Sequence, residues 1–124
     1  MDITPFIPAD RQLIQAYGDG GFRISGNRHE GAVLVFPGRT LAWDVAAFSA
    51  VTADSLALVL EAEPKVEILL LGSGGRMLLP SPDLRRHFRA QGVVLEAMDT
   101  GAACRTYNVL LAEERRVAAA LLPF

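Results

Sequence analysis

The chain has a single cysteine, Cys104, in 124 residues, so an internal disulfide is excluded. Its two histidines, His29 and His87, are scattered and form no zinc constellation, and no metal or other cofactor is expected. There is no basic excess either: 12 Lys and Arg stand against 14 Asp and Glu, for a formal charge of −2. That balance argues against nucleic acid as a partner, because phosphate backbones are met by a clear surplus of positive charge. No apolar run approaches the ~20 residues that span a bilayer, so direct membrane insertion is not expected. The opening MDITPFIPAD carries acids and prolines where a secretory leader has a basic stretch and an apolar run, and it does not resemble a transit peptide. The expected location is cytoplasmic. Repeats and low-complexity linkers are missing, and Asp44, Asp54 and Glu61 are not spaced as a carboxylate pair for acid–base work.

What remains is the material of one folded unit. Hydrophobic residues make up 51% of the chain and charged residues 21%, which supports a single core. The positive mean hydropathy leaves room for an apolar surface that meets a partner. Residues 1–16 read as an extended N-terminal arm broken by Pro5, Pro8 and Asp10, and residues 17–124 as the domain. Residues 17–21 (YGDGG) are turn chemistry. In residues 21–25 Phe22 and Ile24 alternate with Arg23 and Ser25, the pattern of a half-buried strand, and Gly26-Asn27 is a hairpin pair. Residues 31–36 contain the run AVLVF, expected of a strand covered on both faces, and residues 41–43 form a short strand after the Pro37-Gly38 turn.

The second half alternates differently. Thr52 and Asp54 open a helix with Leu56, Val59 and Leu60 on its stripe, ended by Pro64. Residues 66–71 are a short apolar run and read as a central strand. Ser81-Pro82-Asp83 is a cap, a first-turn proline and a first-turn acid; Leu84 and Phe88 share a face, and Gly92 suits the position just past the helix. Residues 93–98, 100–111 and 116–122 follow as strand, helix and strand. Strands separated by helices require crossovers, so this half should be parallel and the first half antiparallel. The expected fold is a three-layer α/β/α domain with a mixed, roughly five-stranded central sheet.

Polar chemistry concentrates in two loops, residues 72–75 (GSGG) and 99–101 (DTG), each placed after a parallel strand, where open sheets bind ligands. Together they could hold an anion on backbone N–H groups at a helix start; alternatively the glycines only permit tight turns and Thr100 only caps its helix. The GSGG loop is neither a P-loop nor a dinucleotide fingerprint. Cys104, near a helix start and beside Arg105, is the one candidate nucleophile, set against the commoner role of a small buried side chain. The candidate cluster is Gly72, Ser73, Gly74, Asp99, Thr100, Cys104, Arg105, Tyr107 and Asn108, with a buried Asp99–Arg105 pair as its structural alternative. Arg85, Arg86, His87 and Arg89 form a basic helix end, and Trp43 is either an interface anchor or a core residue.

The segments GGFRISG (20–26), AVLVFP (32–37), Trp43, LLLGSG (69–74) and MDTGAACRTYNVLLAEERRVAAALLP (98–123) resemble domain-of-unknown-function family 498. That family includes assembly factor 3 of mitochondrial respiratory complex I and many bacterial proteins with no assigned activity. The resemblance implies a three-layer fold on a mixed five-stranded sheet. It maps a polar family cluster onto Gly72, Gly74, Asp99, Thr100, Cys104, Arg105, Tyr107 and Asn108, and it carries no catalytic residue. One departure is Glu114, which stands where family members often have glycine before the last strand. The expectation is a non-enzymatic interaction or assembly module whose partner is a protein, such as a membrane-associated or respiratory subunit. The alternative is a small anionic-ligand binder or enzyme at the 72–75/99–105 edge.

Overall fold

The computed structural model describes residues 11–124. Among the described residues eight strands and three α-helices follow one another: β1 (Ile14–Gly18), β2 (Gly21–Ile24), β3 (Asn27–Glu30), β4 (Val33–Phe36), β5 (Arg39–Ala42), α1 (Ala57–Glu61), β6 (Ile68–Gly72), α2 (Pro82–Ala90), β7 (Val94–Met98), α3 (Thr100–Ala112) and β8 (Val117–Leu121). Five strands form a mixed sheet in the order β5-β4-β8-β6-β7, as the α/β reading of the sequence expects. β6 runs parallel to both β7 and β8, whereas β4 is antiparallel to β5 and β8.

β8 is the middle strand of this sheet, and all five of its residues, VAAAL, are buried. Alanine at three successive positions keeps both faces of this central strand shallow, and α3 packs directly on one of them. Side chains alternate across the sheet with the two-residue period of a strand. Leu34, Phe36, Leu69, Leu71, Ala118 and Ala120 enter one core, shared with Val59 of α1 and Leu84 and Phe88 of α2. Val33, Val35, Leu70, Val117, Ala119 and Leu121 enter the other, against Ala103, Cys104, Tyr107 and Leu111 of α3. Full burial of each such leucine contributes about 1.5–3 kcal/mol, so the layers are held by packing more than by local propensity.

The second core has one more component, not anticipated from the sequence. β1, β2 and β3 make a separate antiparallel sheet that inserts Ile14, Phe22 and Ile24 beside α3. The hairpin turn is Ser25-Gly26, both with positive φ, and Asn27 already belongs to β3. β3 (NRHE) has no fully buried residue and therefore no hydrophobic alternation to betray it. Most of the expected arm at residues 1–16 lies outside the described residues, but residues 14–16 are the start of β1.

Other local readings hold with small shifts. The Ser81 hydroxyl accepts from the Leu84 amide with Pro82 opening α2, and Gly92 has φ +81°. The Thr52 hydroxyl accepts from the Ser55 amide, but a 3-10 turn, Asp54–Leu56, precedes α1 and shortens it to five residues. Trp43 is a core residue whose indole N–H donates to the Ser55 carbonyl at 2.7 Å. Among the described residues, no helix is long and apolar enough to cross a membrane.

Candidate functional site

At the carboxyl ends of β6, β7 and β8 the two polar loops do meet. Asp99 caps α3, its carboxylate accepting from the Ala102 amide at 2.9 Å; the sequence reading that gave this role to Thr100 is corrected. Thr100 is the first residue inside the helix and is wholly buried. Its hydroxyl accepts from the Gly74 N–H at 2.8 Å and donates to the Leu122 carbonyl at 2.7 Å, while its own N–H donates to the Gly74 carbonyl at 2.9 Å. One side chain thus ties the helix start to the loop after β6 and to the end of β8.

Its neighbours complete the lacing. The Leu122 N–H donates to the Gly72 carbonyl, and the Ser73 N–H to the Met98 carbonyl. A Cβ on Gly72 would lie 3.0 Å from the Thr100 hydroxyl oxygen and 3.1 Å from its Cα, so glycine is what allows α3 to sit this close. Gly74 has φ +98°, a conformation side chains resist. The Ser73 hydroxyl donates to the Arg76 carbonyl and accepts from the Leu78 amide, folding the following loop onto itself.

The remaining candidates divide. Asn108 faces β1 and bonds both backbone groups of Ile14, donating at 2.8 Å and accepting at 3.0 Å. Arg105 is exposed and turns to Tyr17, donating to the phenol oxygen at 2.7 Å, and forms no ion pair with Asp99. Cys104 is buried, and that burial pushes its thiol up to about 12, outweighing the opposing pull of Arg105. A thiol so held is neutral and closed to reagents, unlike the thiolate a nucleophile needs. Tyr107 is also fully buried, its hydroxyl without a hydrogen-bond partner among the described residues, and burial raises its pKa.

The opposite end of the sheet is built differently. There the β4–β5 turn, the segment from α1 to β6 and the α3–β8 turn surround a cavity of about 560 Å³. Its floor includes Phe36, Val66 and Val117, and four arginines and three glutamates line it. Arg39 places its guanidinium carbon 5.4 Å from the centre of the Phe36 ring. Arg116 is paired with Glu67, whereas Arg39 and Arg115 have no ion-pair partner among the described residues. These residues carry no signal in the sequence, since Arg39 opens β5 and Arg115 precedes β8, 76 positions apart and with no shared local pattern. No cluster of three or more His, Cys, Asp or Glu able to hold a metal occurs among the described residues.

Residues 14–122 match the model of a family described as protein of unknown function, DUF498/DUF598. The chain belongs to this family. A family relative from Xenopus tropicalis, named NADH dehydrogenase [ubiquinone] 1 alpha subcomplex assembly factor 3, is 36% identical over 115 residues. That match covers 93% of this chain and 63% of the relative, so the chain spans under two thirds of that protein's length. A crystal structure of a Bordetella parapertussis protein superposes with a TM-score of 0.85 at 41% identity, covering 92% of this chain and 97% of that one. A solution structure from Bordetella pertussis, called a Mth938-like domain, gives a TM-score of 0.81 at 35% identity, over 99% and 92% of the two chains. Superposition at these TM-scores over nearly all of each chain shows that they share the fold of this protein.

Proposed function

We propose that this protein is an assembly module: it binds protein subunits of a respiratory NADH dehydrogenase, or of a complex built like one, while that complex is put together. The observation that carries this reading is 36% identity to a named assembly factor over 93% of the chain. The chemistry of the polar cluster is compatible with it. Thr100, Asp99, Ser73 and Asn108 use their side chains on internal hydrogen bonds, and the Cys104 thiol is sealed. On this reading the cluster is a clasp that fixes α3 against the sheet, and recognition belongs to the outer surface of a rigid scaffold.

The test is a deletion in the native organism, with assembled NADH dehydrogenase followed on native gels. Loss of the assembled complex, restored by the wild-type chain, is the expected result. A deletion strain with undiminished complex and no subassemblies overturns the proposal. Affinity capture of the wild-type chain should, in addition, retain dehydrogenase subunits from partly assembled stages.

A further inference from the structure

We propose that the cavity at the amino ends of β6 and β8 is a binding site for a small organic anion, an apolar body carrying one acidic head group. This goes beyond the assembly role and does not depend on it. About 560 Å³ falls within the roughly 300–1,000 Å³ typical of small-molecule pockets. The buried side chains of Phe36, Val66 and Val117 give it an apolar base, and Pro37 and Pro64 extend that surface.

The charges define the head group and its orientation. Four of the chain's 12 basic residues line this one cavity, in a protein whose formal charge is −2. Arg39, at the start of β5, and Arg115, just before β8, both line it and are ion-paired with nothing among the described residues. The planar guanidinium fork fits carboxylate, sulfonate or phosphate oxygens, and the exposed Arg39 is held above the Phe36 ring. Glu61 and Glu63 arrive on the remaining wall, with the segment that leaves α1. An anionic head is therefore drawn toward Arg39 and Arg115 and away from Glu63, which lays the apolar body along Pro64 and Val66. With Arg116 paired to Glu67, three arginines face three glutamates, so selectivity for an anion comes from the placement of Arg39 and Arg115 and not from net charge, and a neutral ligand gains nothing from the arginines.

The probe is 8-anilinonaphthalene-1-sulfonate, followed by fluorescence, beside N-phenyl-1-naphthylamine, which has the same rings and no charge. The wild type should bind the sulfonate saturably at one site, with amide shifts centred on Gly38 and Val66 in NMR spectra. Replacing both Arg39→Ala and Arg115→Ala should weaken binding by about tenfold or more, and Glu63→Gln should tighten it by about twofold. Partly unfolded chains also take up this dye, so each variant is first matched to the wild type in its amide NMR spectrum, and the gain counts only as a tighter saturable single-site phase. Equal sulfonate affinity in the wild type and the double variant overturns the proposal. So does binding of the neutral amine as tight as that of the sulfonate, or shifts confined to the opposite end of the sheet.

Discussion

The two ends of the central sheet differ in what their polar groups are doing. At the carboxyl ends of the parallel strands, hydroxyl, carboxylate and loop amides are spent on one another, and Thr100 alone joins three segments. At the amino ends, guanidiniums and carboxylates face a cavity, and most are left to solvent. Open α/β sheets usually bind ligands at the carboxyl ends, because loops leading into helices leave a crevice there. Here Gly72 removes the Cβ that would hold α3 back, and the helix start fills that crevice. A rich polar sequence motif therefore marks a closed joint, and the open site lies where the sequence looks ordinary.

The largest effect should come from opening the closed end. Thr100→Val keeps the shape and deletes the hydroxyl, leaving the Gly74 N–H and Leu122 carbonyl without that partner. Destabilisation of about 2–4 kcal/mol is expected in urea unfolding, since each buried unpaired group costs roughly 1–3 kcal/mol. A loss below about 1 kcal/mol would show that the joint is not what holds α3.

Next in size is an alkaline effect at Cys104. Burial pushes its thiol from the ordinary 9.0 up to about 12, so the unfolded state releases its proton first as pH rises. The stability that the buried neutral thiol contributes is whole below pH 9 and is lost progressively between pH 9 and 12, by at most about 1.4 kcal/mol per pH unit. Comparing the pH dependence of unfolding in wild type and Cys104→Ala isolates that slope. The native thiol should also resist iodoacetamide at pH 8 and react once the chain is unfolded.

At the open end the sign reverses. Glu114 has φ +60°, a left-handed conformation that favours glycine, just beyond the end of α3. Glu114→Gly should stabilise the fold by about 1 kcal/mol, the steric penalty of a side chain there. It also removes a carboxylate from the cavity lining, so the same variant should bind the naphthalene sulfonate slightly more tightly. The glycine that family resemblance leads one to expect at this turn is thus the locally cheaper residue.

The smallest change is expected in the core between the ends. Tyr107→Phe deletes a buried hydroxyl with no partner among the described residues. Stability should stay level or rise by up to about 1 kcal/mol, because nothing is left unpaired. A clear loss in thermal or urea unfolding would reveal a bond that this hydroxyl makes.

Much of the architecture was legible in the residues. Ser81-Pro82-Asp83 and Gly92 bounded α2, since caps and left-handed residues act within a few positions of the chain. The apolar run in β4 announced a strand covered on both faces, the short apolar run in β6 a central strand, and β8 a closing strand. β1 and β3 were missed because exposed strands have no apolar alternation, and their pairing with β2 is what makes them strands. For the polar cluster, sequence brought the right loops together but misassigned the cap. Asp99 and Thr100 both have side chains fit to cap a helix, and only the position of Leu122 and Gly74 decides that the threonine turns inward.

The sequence by itself determined the layers, the mixed direction of the strands and family membership, because each rests on local periodicity or on motifs read along the chain. Which end of the sheet is closed and which is open was decided only by tertiary structure. Thr100 meets Leu122 across 22 positions, and Asn108 meets Ile14 across 94. Arg39 and Arg115 come to one cavity because β4 lies beside β8 in the sheet. Contacts at such separations depend on how the chain packs, and no short stretch of residues encodes them.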